Sequence, residues 1–551
     1  MARTFDGYPG SEFSPVPVRK FSYIRDYYIG SLYVIKPLLE LMGLRAVVDG
    51  AVPDYSDRGQ IVSTGEVAEV LVANRLNSPT PLVDVEAWAD LCGIEHMFGV
   101  DPERLNDDRL ARALEALDEH QDEIQTKLAF RLMKEFGLTA DEVIWDTTTF
   151  YFEGDYDEAE LIKFGYSPDH RSDLKQIKLA MAVDKESGVP MRQQLIEGRL
   201  TDQKIAVESL LEMKAKLGKS HILVMGDNAV GTISNCLRLN FEGVKFVAPC
   251  PSEAPFREAM DSVSQEEFDR NVWSDGKGEG RFKYAERRVL ITPQMTTSPD
   301  AKDTSPFTAR VLIVWSESKA KLDRERRETY MRRVEERLRD IGETKLNKRR
   351  YKDRDYAQSQ VDKIFEGPTC YLRAVYGHPK VVEVHDGADG QTALELEYGV
   401  DREELRKLER RDGVYPVVTN LADGEEYPLK QIFERTRRKY QVERPMRYMK
   451  SRVRVRPIFL HKEERVRGLA LVCFIALIAY CLLEHLAKKH DRKLTSHQLL
   501  KKFVSITYTS GQMLNSERFA TVVNVTGEHM NLIRRLGLAR GSYRKLADDF
   551  T

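Results

Sequence analysis

Three acidic residues stand in surroundings that make a carboxylate costly or conspicuous. Asp146 follows Val143, Ile144 and Trp145, all suited to a buried strand, and Thr147-Thr148-Thr149 continues the pattern. A carboxylate in a central strand is expensive unless it is paired or metal-bound. Asp227 repeats the situation after Ile222-Leu223-Val224-Met225-Gly226, at the carboxyl end of a parallel-type strand, where the ligand sites of α/β folds gather. Either Asp alone reads as an ordinary strand-end or turn residue; the pair points to a shared metal site. Carboxylates held close together stay ionised only when cations neutralise them, and hard oxygen ligands suit Mg2+ or Mn2+. Two such ions, about 3.5 to 4 Å apart, serve phosphoryl transfer: one activates a water or a 3′-hydroxyl and the other stabilises the leaving oxygen.

The third acid is marked by its neighbours. Between Arg435 and Arg456 there are ten Lys or Arg residues and one acid, Glu443. That carboxylate could simply pair with adjacent arginines. A helix this basic nevertheless repels itself unless something anionic lies against it, and the phosphate backbone of DNA is the natural candidate. Lys450 is the best single phosphate contact, with Lys439, Arg444, Arg447 and Arg452 as helpers; a plain solvated helix face is the other reading of all five.

The elements that must position these residues follow from periodicity. Residues 1–20 are Pro- and Ser-rich and read as a loose tail without a signal peptide. Residues 21–136 carry apolar positions at helical spacing and are expected to be all-helical. Within them Ser63-Thr64-Gly65-Glu66 has the form of a capping box opening one helix of a small bundle, either DNA-binding or packing only. From 137 to 252 the pattern becomes three antiparallel strands, a helix, a short buried strand ending at Asp227, a helix from near Thr232 and another strand. That is the order of a ribonuclease-H-like α/β core. Residues 253–429 read as a β-rich inserted domain around one highly charged helix from Lys319, expected to be solvated and laced with i,i+4 pairs. The core resumes over 430–508, and residues 509–551 read as a helical C-terminal region.

Composition bounds the rest. A chain of 551 residues exceeds what one core of roughly 250 to 300 residues accommodates, so several domains are expected. Formal net charge is −2, which confines any nucleic-acid surface to a local patch. Six cysteines without CxxC pairing speak against a zinc site or a disulfide framework and suit a reducing cytoplasm. The uncharged run Gly468 to Leu483, 16 residues, is shorter than the roughly 20 that span a bilayer, so a buried helix rather than a membrane segment is expected. No GxxxxGK[ST] loop and no Ser-His-Asp or Cys-His arrangement occurs, so no nucleotide cofactor is expected.

Taken together, Asp146-Thr147-Thr148, the stretch Phe164 to Arg171, Gly226-Asp227 and Tyr440-Gln441-Val442-Glu443 resemble the DDE transposases of bacterial and archaeal insertion sequences. The likeness is to the insertion-sequence-four-like branch, in which a β-rich insertion precedes the catalytic Glu. That family's helix signature is Tyr, two residues, Arg, three residues, Glu, six residues, Lys. Glu443 and Lys450 match it, whereas Thr436 and Lys439 stand in the Tyr and Arg places, Asn228 follows the second Asp, and Pro445 is expected to kink or end a helix turn.

The resemblance implies a ribonuclease-H-like core with a helical DNA-end-binding region ahead of it. It also implies Asp146, Asp227 and Glu443 as catalytic metal ligands for two Mg2+ or Mn2+ ions, and cut-and-paste transposition by cleavage at transposon ends and 3′-hydroxyl strand transfer. The implied partners are double-stranded DNA, as terminal inverted repeats and target, and a second protomer in a synaptic homodimer, in a prokaryotic, nucleoid-associated setting. A DNA-binding derivative that has lost its chemistry and a ribonuclease-H-like structure-specific nuclease remain the alternatives.

Overall fold

The computed structural model describes residues 21–538 apart from 54–60, 155, 166–170, 172, 252, 275–280, 347–349, 386–391, 423–426, 437–439, 454–459, 461 and 515–517. In chain order its strands are β1 (Phe21–Tyr27), β2 (Glu142–Phe152), β3 (Lys175–Asp184), β4 (Pro190–Glu197), β5 (Leu223–Met225), β6 (Lys245–Pro249), β7 (Val272–Ser274), β8 (Arg281–Ile291), β9 (Phe307–Ser316), β10 (Lys380–His385), β11 (Thr392–Glu397), β12 (Val414–Thr419), β13 (Thr507–Met513) and β14 (Arg518–Val523). The chain divides into two compact units, one of residues 1–201, 212–222 and 440–551 and one of residues 202–211 and 223–439.

In the first unit the helices Leu32–Met42, Asp107–Glu119 and Gln121–Phe136 form on amphipathic repeats, while Thr64–Asn77 is buried on nearly every side. The capping box expected at Ser63 forms in both halves: the Ser63 hydroxyl accepts the Glu66 N–H and the Glu66 carboxylate accepts the Ser63 N–H. β2, β3 and β4 make an antiparallel meander, with Asp146 opposite Met181. The expectation of helix alone over 21–136 is corrected at its start. Residues 21–27 are a strand paired antiparallel with β13, which pairs in turn with β14. In the C-terminal region read as helical, 509–551, the described residues hold the helix Gly527–Arg535 but begin with the end of β13 and with β14. These strands are short and rich in Thr, Tyr and Val, and each completes its hydrogen bonding on a partner nearly five hundred residues distant or across a hairpin, which local periodicity does not reveal.

The apolar run lies inside a 26-residue helix, Glu463–Lys488, and 94% of its most hydrophobic window is buried within the protein. It packs on the helices Asp107–Glu119 and Thr64–Asn77 and on β4, so it is a core helix enclosed largely by other helices rather than by the sheet alone. Its approach to the helix Asp107–Glu119 is so close that a Cβ on Gly468 would stand 2.1 Å from the Leu114 carbonyl oxygen. Polar pegs hold its first turns: Arg467 meets the Asp118 carboxylate through Nε and Nη2 at 2.7–3.0 Å, and Glu463 accepts the N–H groups of Glu160 and Leu161 at 2.5 and 2.8 Å.

The second unit is built on a mixed sheet in the order β5-β6-β12-β9-β8-β7, parallel between β5 and β6 and antiparallel elsewhere. The helix Ile233–Phe241, capped by Thr232, makes the right kind of crossover between the parallel pair. The expected boundary at residue 253 is not a boundary of packing. β12 pairs directly with β6, Val417 opposite Pro249, so the β-rich segment extends the sheet that β5 and β6 begin. A smaller core lies farther along this unit, where Val334, Leu338, Val361, Phe365 and Tyr376 pack with the β10–β11 hairpin residue Val381. The charged helix, Glu317–Arg339, is not wholly solvated: it buries Ala320, Val334 and Leu338, and Arg327 is buried in an ion pair with Asp412.

Gly468→Ala is expected to lower stability by about 1–3 kcal/mol through overpacking against Leu114. The shift should appear as a lower urea midpoint at unchanged slope. Gly527→Ala, where an added Cβ meets nothing within 4 Å, should stay within about 0.5 kcal/mol of the parent.

Candidate acidic site and its basic helix

Asp146 is the fifth residue of β2, following three buried residues, Val143, Ile144 and Trp145, and is itself half-buried. The strand period places it on the face opposite Trp145. Its Oδ1 accepts the N–H of Thr147 at 2.9 Å. The carboxylate thus stands where the meander opens from a packed interior, in the first compact unit.

Asp227 belongs to the second unit. It stands two residues beyond the end of β5, half-buried, and its Oδ1 accepts the Ala229 N–H at 2.9 Å. The turn is closed by the Val230 N–H donating to the Asp227 carbonyl at 3.2 Å. Gly226 is required just before it, because a Cβ there would lie 2.3 Å from the Val230 side chain. A parallel strand followed by so tight a turn holds an acid just beyond its carboxyl end.

Glu443 lies in the first turn of the basic helix Tyr440–Ser451, which packs on β2, β3 and the apolar helix within the first unit. Val442, Met446 and Met449 form its buried side, and Glu443, Arg447 and Lys450 are exposed at i, i+4 and i+7. One helical face therefore carries a single acid followed by two cations. Pro445, expected to kink or end this helix, does not end it, since helix is continuous from Tyr440 to Ser451. In the second turn a proline removes only one backbone bond, and here its ring is buried.

The remaining cations behave differently from one another. Arg444 is committed to the protein: its Nη1 meets the buried Glu484 carboxylate at 2.7 Å. Arg452 is exposed and lies 3.4 Å from the His497 ring, whose pKa is lowered by burial and then by the charges of Arg452 and Lys501. Lys439 lies outside the described residues, as do residues 166–170 of the polar stretch before β3. Trp273 and Trp315 have packing roles: Trp273 lies edge-on to Phe282 and Phe433, and the Trp315 ring carries the Lys283 ammonium at 5.2 Å.

Carboxylate oxygens are the donors a hard divalent cation takes, so the chemistry of the three acids fits Mg2+ or Mn2+. Among the described residues no group of three or more His, Cys, Asp or Glu side chains is arranged to hold a metal ion. The residue that sequence reasoning missed is Glu484. Its signal was available, a lone acid closing an apolar helical run at Cys481-Leu482-Leu483-Glu484, but two of its partners, Arg444 and Tyr448, come from another helix.

Comparison with known proteins places these residues in a family. Residues 26–129 match a domain of unknown function designated DUF4277. Residues 138–479, well over half of the chain, match the family described as the transposase DDE domain. No curated protein matches the sequence. Among solved structures, a cryo-EM structure of a piggyBac transposase synaptic complex with hairpin DNA aligns over 96% of this chain and 87% of its own, at 10% identity and a TM-score of 0.38. With its matched span running from β2 through the apolar helix, the chain belongs to the transposase DDE domain family, and it is a DNA transposase in that sense.

Proposed function

We propose that this transposase acts by cut-and-paste, cleaving DNA at the ends of an element of the prokaryotic insertion-sequence type and joining the freed 3′-hydroxyls to target DNA. Water breaks a phosphodiester at each end, and the liberated 3′-hydroxyl then displaces a 3′-oxygen in the target strand, so phosphodiester bonds are conserved in the second step and no ATP is needed. The observation that carries the reading is the family match itself, whose span includes Asp146, Asp227 and Glu443 together with the basic helix.

In this reading the core is ribonuclease-H-like, and Asp146, Asp227 and Glu443 would hold two Mg2+ or Mn2+ ions, which would supply Lewis-acid stabilisation of the phosphoryl oxygens. The chain's own contribution is geometric and electrostatic. β2 presents Asp146 from a rigid strand, the turn after β5 presents Asp227, and the basic helix presents Glu443 with Arg447 and Lys450 on the same face to meet a phosphate backbone. Duplex DNA, as terminal inverted repeats and target, and a second protomer in the synaptic complex are the partners, and the setting is the nucleoid of a prokaryotic cytoplasm. Thr436 and Lys439, which depart from the family's helix signature, favour as a second reading a chain that binds ends without cutting them.

An element-end duplex cleaved in the presence of Mg2+ separates the readings. Asp146→Asn, Asp227→Asn and Glu443→Gln are each expected to lower cleavage by at least about 10²-fold with end binding retained. Full activity of any one variant removes that residue from the site, and an inactive parent that still binds ends establishes the second reading.

End binding should weaken steeply with added salt. Lys450→Ala is expected to reduce the slope of log K against log salt by about one, uniformly across DNA sequences. An unchanged slope places Lys450 off the phosphate backbone.

A further inference from the structure

We propose that Glu484 is a positioning residue for the helix that carries Glu443: its buried carboxylate clamps two side chains of that helix and thereby sets which face the helix presents. The inference rests on the catalytic reading of Glu443 given above.

Glu484 is 3% exposed and lies one turn from the carboxyl end of the apolar helix Glu463–Lys488. An acid is doubly unfavourable there, since burial penalises its charge and the helix dipole brings negative potential to the same end. Three donors meet it: Lys488 Nζ at 2.5 Å on its own helix, and Arg444 Nη1 at 2.7 Å and the Tyr448 hydroxyl at 3.1 Å on the basic helix. The Tyr448 phenol is held with its proton, its pKa pushed up to about 12 by burial and then by the Glu484 charge, so it stays a donor.

Arg444 and Tyr448 are four residues apart, one above the other on one side of the basic helix. Fastening both to a single carboxylate fixes rotation about the helix axis, which one contact would leave free. Two further contacts close the arrangement. The Tyr448 ring meets Tyr480 edge-on at 5.0 Å, and the β3–β4 turn brings Gly188 against the Arg444 guanidinium. Beside this clamp is a cavity of about 580 Å³, lined in part by Ser187, His485, Lys489 and Arg492, so the pair is not held in place by dense packing. With 444 and 448 pinned, positions 443, 447 and 450 fall on the exposed side. A roll of the helix by one residue, about 100°, would turn Glu443 and Arg447 away from that side.

The test uses the full chain and an element-end duplex, with Glu484→Gln, Glu484→Asp and the milder Tyr448→Phe. Two readouts are taken: hydrogen exchange of the amides of residues 442–451, and single-turnover cleavage in Mg2+ alongside end affinity. Glu484→Gln is expected to speed exchange in 442–451 more than in 469–480, and to lower cleavage at least about tenfold more than affinity. Glu484→Asp, which keeps the charge, should recover part of that loss, and Tyr448→Phe should show the same pattern more weakly. Unchanged exchange and cleavage in Glu484→Gln, or losses of cleavage and affinity in equal proportion to lost folded protein, overturn the proposal. Should the parent fail to cleave, or Glu443→Gln cleave normally, the catalytic reading fails, while the exchange pattern still decides whether Glu484 sets the helix.

Discussion

Among the described residues of the first compact unit, the buried acids Glu69, Asp118, Asp184, Glu463 and Glu484 are each met by a cation or an N–H donor, and much of the unit is arranged around those contacts. The apolar helix Glu463–Lys488 is buried almost throughout, so its packing supplies a large share of the unit's hydrophobic driving force. Both ends of the helix nevertheless carry buried acids. Glu463 is met by two backbone N–H groups and Glu484 by Arg444, Tyr448 and Lys488, while Asp118 on the neighbouring helix is met by Arg467. Glu69, 1% exposed, is met by Lys36 and Arg45 in the same manner. Hydrophobic burial brings these elements together, and the paired charges select one register among the many that apolar contact would tolerate.

The three acids assigned to chemistry differ in kind from these structural ones. Asp146 and Asp227 are half-buried and Glu443 is exposed, and the first two take a backbone N–H from one and two residues on. The strand ending in a tight turn and the strand emerging from a packed interior are both ordered supports, which the proposed role of Asp146 and Asp227 would require.

The basic helix shows how one element serves two purposes. Its cations look equivalent in composition, yet Arg444 closes a buried ion pair while Arg447 and Lys450 share the exposed face with Glu443. The β-rich segment makes a parallel point about domains. A stretch that differs in texture from its surroundings is not thereby a separate body, because β12 finds its partner in β6 and continues one mixed sheet.

Local chemistry is legible in the sequence wherever the determinant is itself local. The meander, the capping box at Ser63, the Thr232-capped helix and the core helix over Gly468 to Leu483 all follow from periodicity, turn residues and side-chain oxygens within a few positions. The unusual settings of Asp146, Asp227 and Glu443 are equally readable, because an acid beside a buried run or among ten cations is conspicuous by itself. Long-range pairing is not. That residues 21–27 are a strand follows from β13, and that Arg444 and Glu484 belong to each other follows from two helices meeting. Hydrogen bonds and ion pairs between distant segments depend on where the chain returns, and only the tertiary structure decides that.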